Sequence, residues 1–234
     1  MRQSRKGTVL LAAALLATAA APKEDAMRAR MVKEQIEDRG VTNAAVLAAM
    51  LKVPRQEFVP ERLRDLAYAD GALDIGHGQT ISQPYVVAVM TELLRLKPTD
   101  RVLEVGTGSG YQAAVLAEIA AEVYTVEIVE PLAKSAAERL KRLGYATVHV
   151  KCGDGFLGWP EHAPFDAIIV TCAADPVPEP LIEQLKPGGR LVIPEGPPTG
   201  VQWLVLVEKD ASGKISRRRV LPVAFVPMTR ETGR

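Results

Sequence analysis

Apolar positions repeat at helical spacing through the first hundred residues and then give way to short continuous runs. MVKEQIEDRG (31–40) predicts a short helix stopped by Gly40, since glycine accepts the left-handed conformation found at helix ends. Thr42 or Asn43 can cap the next helix, AAVLAAMLKV, in which Val46, Leu47, Met50 and Leu51 share one face. Pro54 and Pro60 break the helical pattern beyond it. DGALDIGHGQTIS (70–82) is glycine-rich, lacks a helical period and is expected to be a loop. Pro84 then suits the first turn of a helix, where its missing N–H is not needed. Val86, Val87, Met90, Leu93 and Leu94 carry that helix to a stop before Pro98.

Beyond Pro98 strands alternate with helices. RVLEV (101–105), VYTVEI (123–128), TVHV (147–150), FDAIIVTC (165–172) and RLVIPEG (190–196) read as buried strands, separated by the helical YQAAVLAEIA, PLAKSAAERLKRLG and PLIEQLK. QWLVLVEK and RRRVLPVAFVPM flank Asp210–Gly213 as an antiparallel hairpin. This alternation predicts an α/β fold with a mostly parallel sheet covered by helices on both faces. Seven strands are expected, with N-terminal helices and a C-terminal antiparallel hairpin.

Residues 1–21 differ from everything after them. Arg2, Arg5 and Lys6 precede a 14-residue apolar stretch, Thr8–Ala21, with Ala17-Thr18-Ala19 placed as a cleavage site. The pattern is that of a secretory signal peptide, and it is short for a spanning helix. A start at Met27 or Met31 is the alternative. Residues 1–26 are therefore expected to be an extension to a single domain, 27–234, made of a helical subregion (27–97) and a core (98–234).

Composition narrows the chemistry. The 29 Lys+Arg and 28 Asp+Glu leave a formal charge of +1, without the basic footprint of a nucleic-acid binder. Two cysteines, Cys152 and Cys172, neither form a disulfide framework nor show CxxC spacing, and no metal site is expected. The strongest chemical signal is the turn after the first core strand, Glu104-Val105-Gly106-Thr107-Gly108-Ser109-Gly110, followed directly by a helix. Such a turn lets backbone approach a ligand and aims helix N–H groups at it. Glu127 ends the next strand, 21 residues beyond Gly106, where a carboxylate can accept from ribose hydroxyls. Asp154-Gly155 follow the third strand, on the same carboxyl edge of the sheet. Together these turns predict a nucleoside cofactor.

VLEVGTGSGYQAAVLA, Glu127, the Gly153-Asp154-Gly155 turn and LKPGGRLVIPEG resemble the class I S-adenosylmethionine-dependent methyltransferases. VPRQEFVP (53–60), GQTISQPYVVAVMTELL (78–94), FDAIIVTCAA (165–174) and FVPMT (225–229) narrow that resemblance to the protein-L-isoaspartate (D-aspartate) O-methyltransferase family, over about Met31 to Thr229. The resemblance implies a Rossmann-like, doubly wound sheet. It implies S-adenosyl-L-methionine as cofactor, S-adenosyl-L-homocysteine as product, and methylation of the free α-carboxyl of L-isoaspartyl residues in damaged proteins, which then pass through a succinimide. It places the cofactor on Glu104, Gly106, Thr107, Gly108, Ser109, Gly110, Glu127, Asp154, Gly155 and Thr229. It places substrate on Gln79, Thr80, Ile81, Ser82, Pro84, Tyr85 and Pro227, and makes Ser82 the active-site residue. Tyr85 stands where many members have His, and Thr171-Cys172 precede Ala173, both departures from the family pattern.

A carboxylate acceptor is already ionised at neutral pH, so no general base is required of His77, His149 or His162. Ser82 has two readings, helix cap or hydrogen bonder to the substrate; without a His–acid pair it is not a nucleophile. Competing functions are weaker. The Asn/Asp-Pro-Pro-aromatic motif of amino methylation is absent, and no tyrosine has Lys four residues on, as a short-chain oxidoreductase needs. A small-molecule methyltransferase is the alternative. The expected partners are isoaspartyl proteins and peptides, not nucleic acid or membrane, with the chain a monomer. A cytoplasmic location follows from where the methyl donor is made; export through residues 1–20 is the alternative.

Overall fold

The computed structural model describes residues 21–230, so the signal-peptide-like stretch 1–20 lies outside the described residues. Helix α1 spans Ala21–Arg30, starting six residues before Met27, and winds on through a π turn (Met31–Ile36) and a 3-10 turn (Glu37–Arg39). Gly40 ends it at φ 97°. Asn43 caps α2 (Ala44–Lys52), its Oδ1 accepting from the N–H groups of Ala45 and Val46. Two 3-10 turns, Arg55–Phe58 and Glu61–Leu66, then lead to β1 (Leu73–Gly76) and β2 (Gln79–Ile81).

The segment expected to be a loop is thus an antiparallel hairpin. Its strands are too short to show alternation. Its two-residue turn, His77-Gly78, has positive φ at both positions (55° and 70°), the geometry of a tight primed turn. Helix α3 (Pro84–Leu94) comes next, with Pro84 in its first turn as expected. Its cap position is Gln83, and no side chain caps it, so Ser82 does not serve as the helix cap.

The core is β3 (Arg101–Val105), α4 (Tyr111–Ala117), β4 (Glu122–Glu127), α5 (Glu130–Arg142), β5 (Val148–Cys152), β6 (Phe165–Val170), α6 (Glu179–Glu183), β7 (Leu185–Glu195), β8 (Gln202–Lys209) and β9 (Ile215–Val223). The strands form one seven-stranded sheet in the order β5-β4-β3-β6-β7-β8-β9, parallel through β7 and antiparallel thereafter. Strand β7 begins at Leu185, five residues earlier than RLVIPEG suggests. Phe165 pairs with Leu185 and Ala167 with Arg190, so Lys186–Gly189 is an excursion taken within the strand, and α6 is correspondingly short.

Alternation along the central strands sorts side chains to two cores. Val102, Val123, Ala167, Ile169 and Val192 face the layer built from α1 to α4. Leu103, Val105, Val126, Ile168 and Val170 face the layer containing α6. By the same period Glu104 falls on the face of Val102, beneath the N-terminal helices. The chain leaves β3 toward β4 and later returns to β6 on the opposite side. The order therefore reverses between β3 and β6, where open α/β sheets bind ligands at their carboxyl edge.

Cys152 ends β5 and Cys172 lies just past β6, with β4 and β3 between them. Three strand steps are about 14 Å, against about 7 Å for the widest Cα separation a disulfide spans. Unfolding without reductant is expected to expose two thiols per chain to a thiol reagent; a count of zero would contradict this strand order.

Candidate functional site

Three clefts meet at the carboxyl edge of β3, β4 and β6. The first, about 560 Å³, brings together Gln79, Thr80, Gly106, Gly108, Glu127, Gly155, Pro227 and Thr229 of the expected site residues. A smaller one of about 320 Å³ is lined by Ile81, Ser82, Glu104, Thr107 and Ser109. The third, about 1220 Å³, opens on the other side of Ser82 and Tyr85 against the segment Leu221–Val226. Thr80 and Thr171 line all three and so form the walls between them. Gly110, Pro84 and Asp154 are not among the lining residues of these three clefts. Of the histidines, His77 is at the hairpin tip, and His149 and His162 stack on Tyr124, so none lines a cleft.

The turn after β3 is held from both sides. Gly106 donates its N–H to Val126 O (2.8 Å), and its carbonyl accepts from Thr171 Oγ1 (2.6 Å). A Cβ at Gly106 would lie 2.4 Å from that hydroxyl, and φ there is 97°, so no other residue fits. Gly108 N–H donates to Glu127 Oε2 (2.8 Å), and the Thr107 and Thr125 hydroxyls pair at 2.6 Å. Glu127 Oε1 meanwhile accepts from Val129 N–H (2.9 Å). Both carboxylate oxygens are thus oriented by backbone, each with a lone pair still available to a ligand.

Asp154 is built differently. Oδ1 accepts from Phe156 N–H (2.9 Å), while Oδ2 lies 3.5 Å from Arg230 Nε, whose guanidinium covers the Phe156 ring at 3.7 Å. Gly155 packs against Val105 so closely that a Cβ would meet Val105 Cγ1 at 2.5 Å. The C-terminal segment is laid across the cleft by a parallel bridge: Ala173 N–H donates to Val226 O (2.8 Å) and Met228 N–H to Ala173 O (2.7 Å). Cys172 also lines this cleft; burial and the nearby Glu127 carboxylate push its thiol up to about 12, so it stays protonated.

Glu104 is the outlier. It is 0% exposed, and neither carboxylate oxygen has a hydrogen-bond partner among the described residues. Burial pushes its carboxyl up to about 8, the Glu127 charge adds to this, and only the neighbouring Thr125 hydroxyl opposes it. A buried acid without a donor is what a site offers to a ligand that brings one. Glycine turns, a ribose-height carboxylate and this orphaned acid fit a cationic nucleoside; among the described residues no cluster of metal-ligating side chains occurs.

On the opposite side Ser82 precedes the first turn of α3, where backbone N–H groups have no intrahelical acceptor. Arg39 lies 3.7 Å over the Tyr85 ring and reaches Asp70 (3.1 Å), which also accepts from Gln83 Nε2 (2.7 Å). Arg39, Asp70 and the shared wall Thr171 were not expected from the sequence as lining residues. They come from distant parts of the chain and carry no periodic signal.

The family model for protein-L-isoaspartate(D-aspartate) O-methyltransferase matches residues 26–233. A protein-L-isoaspartate O-methyltransferase of Opitutus terrae is 61% identical over 204 residues, covering 87% of each chain. One from Nitrosospira multiformis is 58% identical over 210 residues, covering 89% of each. Among solved structures, a protein-L-isoaspartate O-methyltransferase superposes with a TM-score of 0.78 at 32% identity, covering 88% of this chain and 67% of that one. A Plasmodium falciparum protein named as a beta-aspartate methyltransferase, in complex with S-adenosyl-L-homocysteine, gives 0.75 at 27% identity, covering 87% and 99%.

Because Glu104 holds its proton more tightly folded than unfolded, its contribution to stability is fully present below about 4.5 and is lost as pH rises toward about 8. Glu104→Gln is expected to remove that loss, on the order of a few kcal/mol, and to raise the Tm of the ligand-free protein at pH 8 relative to wild type. Parallel Tm–pH curves for the two proteins would exclude a raised carboxyl.

Proposed function

The chain belongs to the protein-L-isoaspartate(D-aspartate) O-methyltransferase family, and we propose that its clefts hold methyl donor and acceptor on the two sides of the Thr80–Thr171 wall. The reaction moves a methyl group from S-adenosyl-L-methionine to the free α-carboxyl of an L-isoaspartyl residue in a damaged protein, leaving S-adenosyl-L-homocysteine. The ester then closes to a succinimide, which opens in part to normal aspartate. The observation that carries the assignment is the junction itself: one cleft lined by Glu127 and another lined by Glu104 meet, at the shared Thr80 and Thr171, a cleft lined by Ser82 and the start of α3.

On the donor side Glu104 accepts from the cationic amino-acid end, and Glu127 uses its remaining lone pairs for the ribose hydroxyls. The backbone of Gly106 to Gly110, with Thr107 and Ser109, closes around the same molecule. Asp154, Gly155 and Thr229 bound its far end. When bound, the donor supplies a methyl group already activated by a sulfonium. What remains for the chain is placement and exclusion of water, and well-oriented approach is worth about 7–11 kcal/mol.

On the acceptor side the carboxylate is ionised without help, so no histidine is needed near it. The free N–H groups at the start of α3 receive its charge. The Ser82 hydroxyl, not engaged in capping, donates to one oxygen and leaves the other aimed at the methyl group. Gln79, Thr80, Ile81, Pro84, Tyr85 and Pro227 shape the surface around it. Tyr85, where the family often has His, meets its neighbours through Arg39.

The segment 27–97 serves the acceptor and the core 98–234 the donor. The acceptor is polypeptide and not nucleic acid, a reading that the formal charge of +1 supports. The chain is proposed to act as a monomer. Among the described residues no helix is long and apolar enough to cross a membrane. The cytoplasm, where the methyl donor is made, is the proposed location.

With methyl-labelled S-adenosylmethionine and two peptides differing only in isoaspartate against aspartate, base-labile label is expected on the isoaspartyl peptide alone. Label on neither, with donor still bound, would overturn the acceptor assignment. In the same assay Ser82→Ala is expected to keep donor affinity while turnover falls roughly 10–100-fold, the loss of one hydrogen bond to a charged group; unchanged turnover would leave Ser82 without a role in the reaction.

A further inference from the structure

Among the described residues, the buried side-chain atoms without a hydrogen-bond partner are Gln35 Oε1, Arg55 Nη1 and the two oxygens of Glu104. Gln35 is tied down at its other end, donating to Tyr68 O at 2.9 Å. Glu104 faces the donor. Arg55, within the VPRQEFVP segment, has no such role. Its side chain is 0% exposed, yet its hydrogen bonds are to two carbonyls: Nε to Ala67 O (2.8 Å) and Nη2 to Ser82 O (2.7 Å). The guanidinium lies 4.7 Å from the centre of the Tyr111 ring. The polar side chains that act on its charge are the tyrosines 111 and 68, not a carboxylate.

A buried cation without a counter-ion is costly to keep, and bridging two carbonyls needs only neutral donors. Its contacts say where the charge is used. The Ser82 carbonyl belongs to the loop that enters α3, and Tyr111 opens α4 directly after Gly110. Ser82 and Tyr111 line the same small cleft as Glu104. An unpaired buried cation therefore backs the acceptor loop and an unpaired buried acid backs the donor loop of one cavity.

We propose that Arg55 is a positioning residue for the methyl transfer: it fixes the Ser82 loop against the start of α4, and its unpaired charge draws the acceptor carboxylate to that loop. This rests on the acceptor lying at Ser82 in the proposed reaction. The charge and the fork are separable. Arg55→Lys keeps the first and loses the reach to both carbonyls; Arg55→Met loses both while filling the space.

Acceptor KM, kcat, Tm and S-adenosylhomocysteine affinity by calorimetry are measured for wild type and both variants. Arg55→Met is expected to raise acceptor KM by about tenfold or more and to lower kcat, with S-adenosylhomocysteine affinity retained. Arg55→Lys is expected to recover KM but not kcat, a split that general loosening of the fold does not produce. Because removal of a buried side chain can impair folding, Arg55→Ala is also refolded and assayed with methylguanidinium, which is expected to restore acceptor KM saturably. Wild-type KM and kcat in Arg55→Met, or donor and acceptor affinity falling together with Tm and no rescue, overturns the role of Arg55 alone. Failure of wild type to label the isoaspartyl peptide overturns the acceptor reading, and this proposal with it.

Discussion

The two peptides that flank the Gly106 Cα are the point on which the site depends. Gly106 gives its N–H to Val126 at the end of β4 and its carbonyl takes the Thr171 hydroxyl from just beyond β6, at 2.8 and 2.6 Å. The turn leaving β3 is thereby clamped between its two neighbours in the sheet. That clamp orients Gly108 N–H toward Glu127 and makes Thr171 a wall common to three clefts. A methyl at position 106 would break it, because the hydroxyl already occupies that space at 2.4 Å. The glycine is there for contact with β6 as much as for the turn.

Charge is arranged about this clamp in a way that folding stability alone does not explain. Glu104 is driven toward its protonated form by burial, and Arg55 is buried on the other side without a carboxylate. Each would be cheaper for folding as a neutral residue of similar volume. They are too specific to be packing accidents, since each sits behind one of the two loops that converge on the same small cleft. A reaction between a cation and an anion ends with neither, so ground-state charges inside the protein act on binding and alignment of the two partners and contribute less as the charges vanish.

Much of this was legible in the residues because it is local. Asn43 caps, Pro84 starts a helix, and the run Glu104 to Gly110 must turn from strand to helix whatever surrounds it. The seven strands and their C-terminal antiparallel arm arise from apolar runs that tertiary contacts only confirm. What was not legible depends on partners far along the chain. The hairpin 73–81 is set by paired positive-φ residues, His77 and Gly78, in strands too short to alternate. The early start of β7 is set by Phe165 pairing with Leu185, which no pattern within KPGG announces. Thr171, Arg39 and Arg55 look in sequence like an ordinary strand end, a helix-terminal cation and a surface arginine; only folding shows which carbonyls and rings they reach.

The wall of Thr80 and Thr171 has a chemical reason to exist. A carboxylate and a sulfonium attract each other, and in a single open cavity they could pair through any of several oxygen and methyl orientations. Most of those are unreactive, because displacement at carbon requires approach opposite the leaving sulfur. Two short hydroxyl-bearing side chains, one from the hairpin and one from the end of β6, keep the clefts separate except where Ser82 borders both. In the proposed arrangement, long-range attraction then brings the partners together at that shared border. Specificity for the acceptor rests, in the same arrangement, on the far side of that border, with Tyr85, Arg39 and the segment 221–226, which line the cleft away from Glu127.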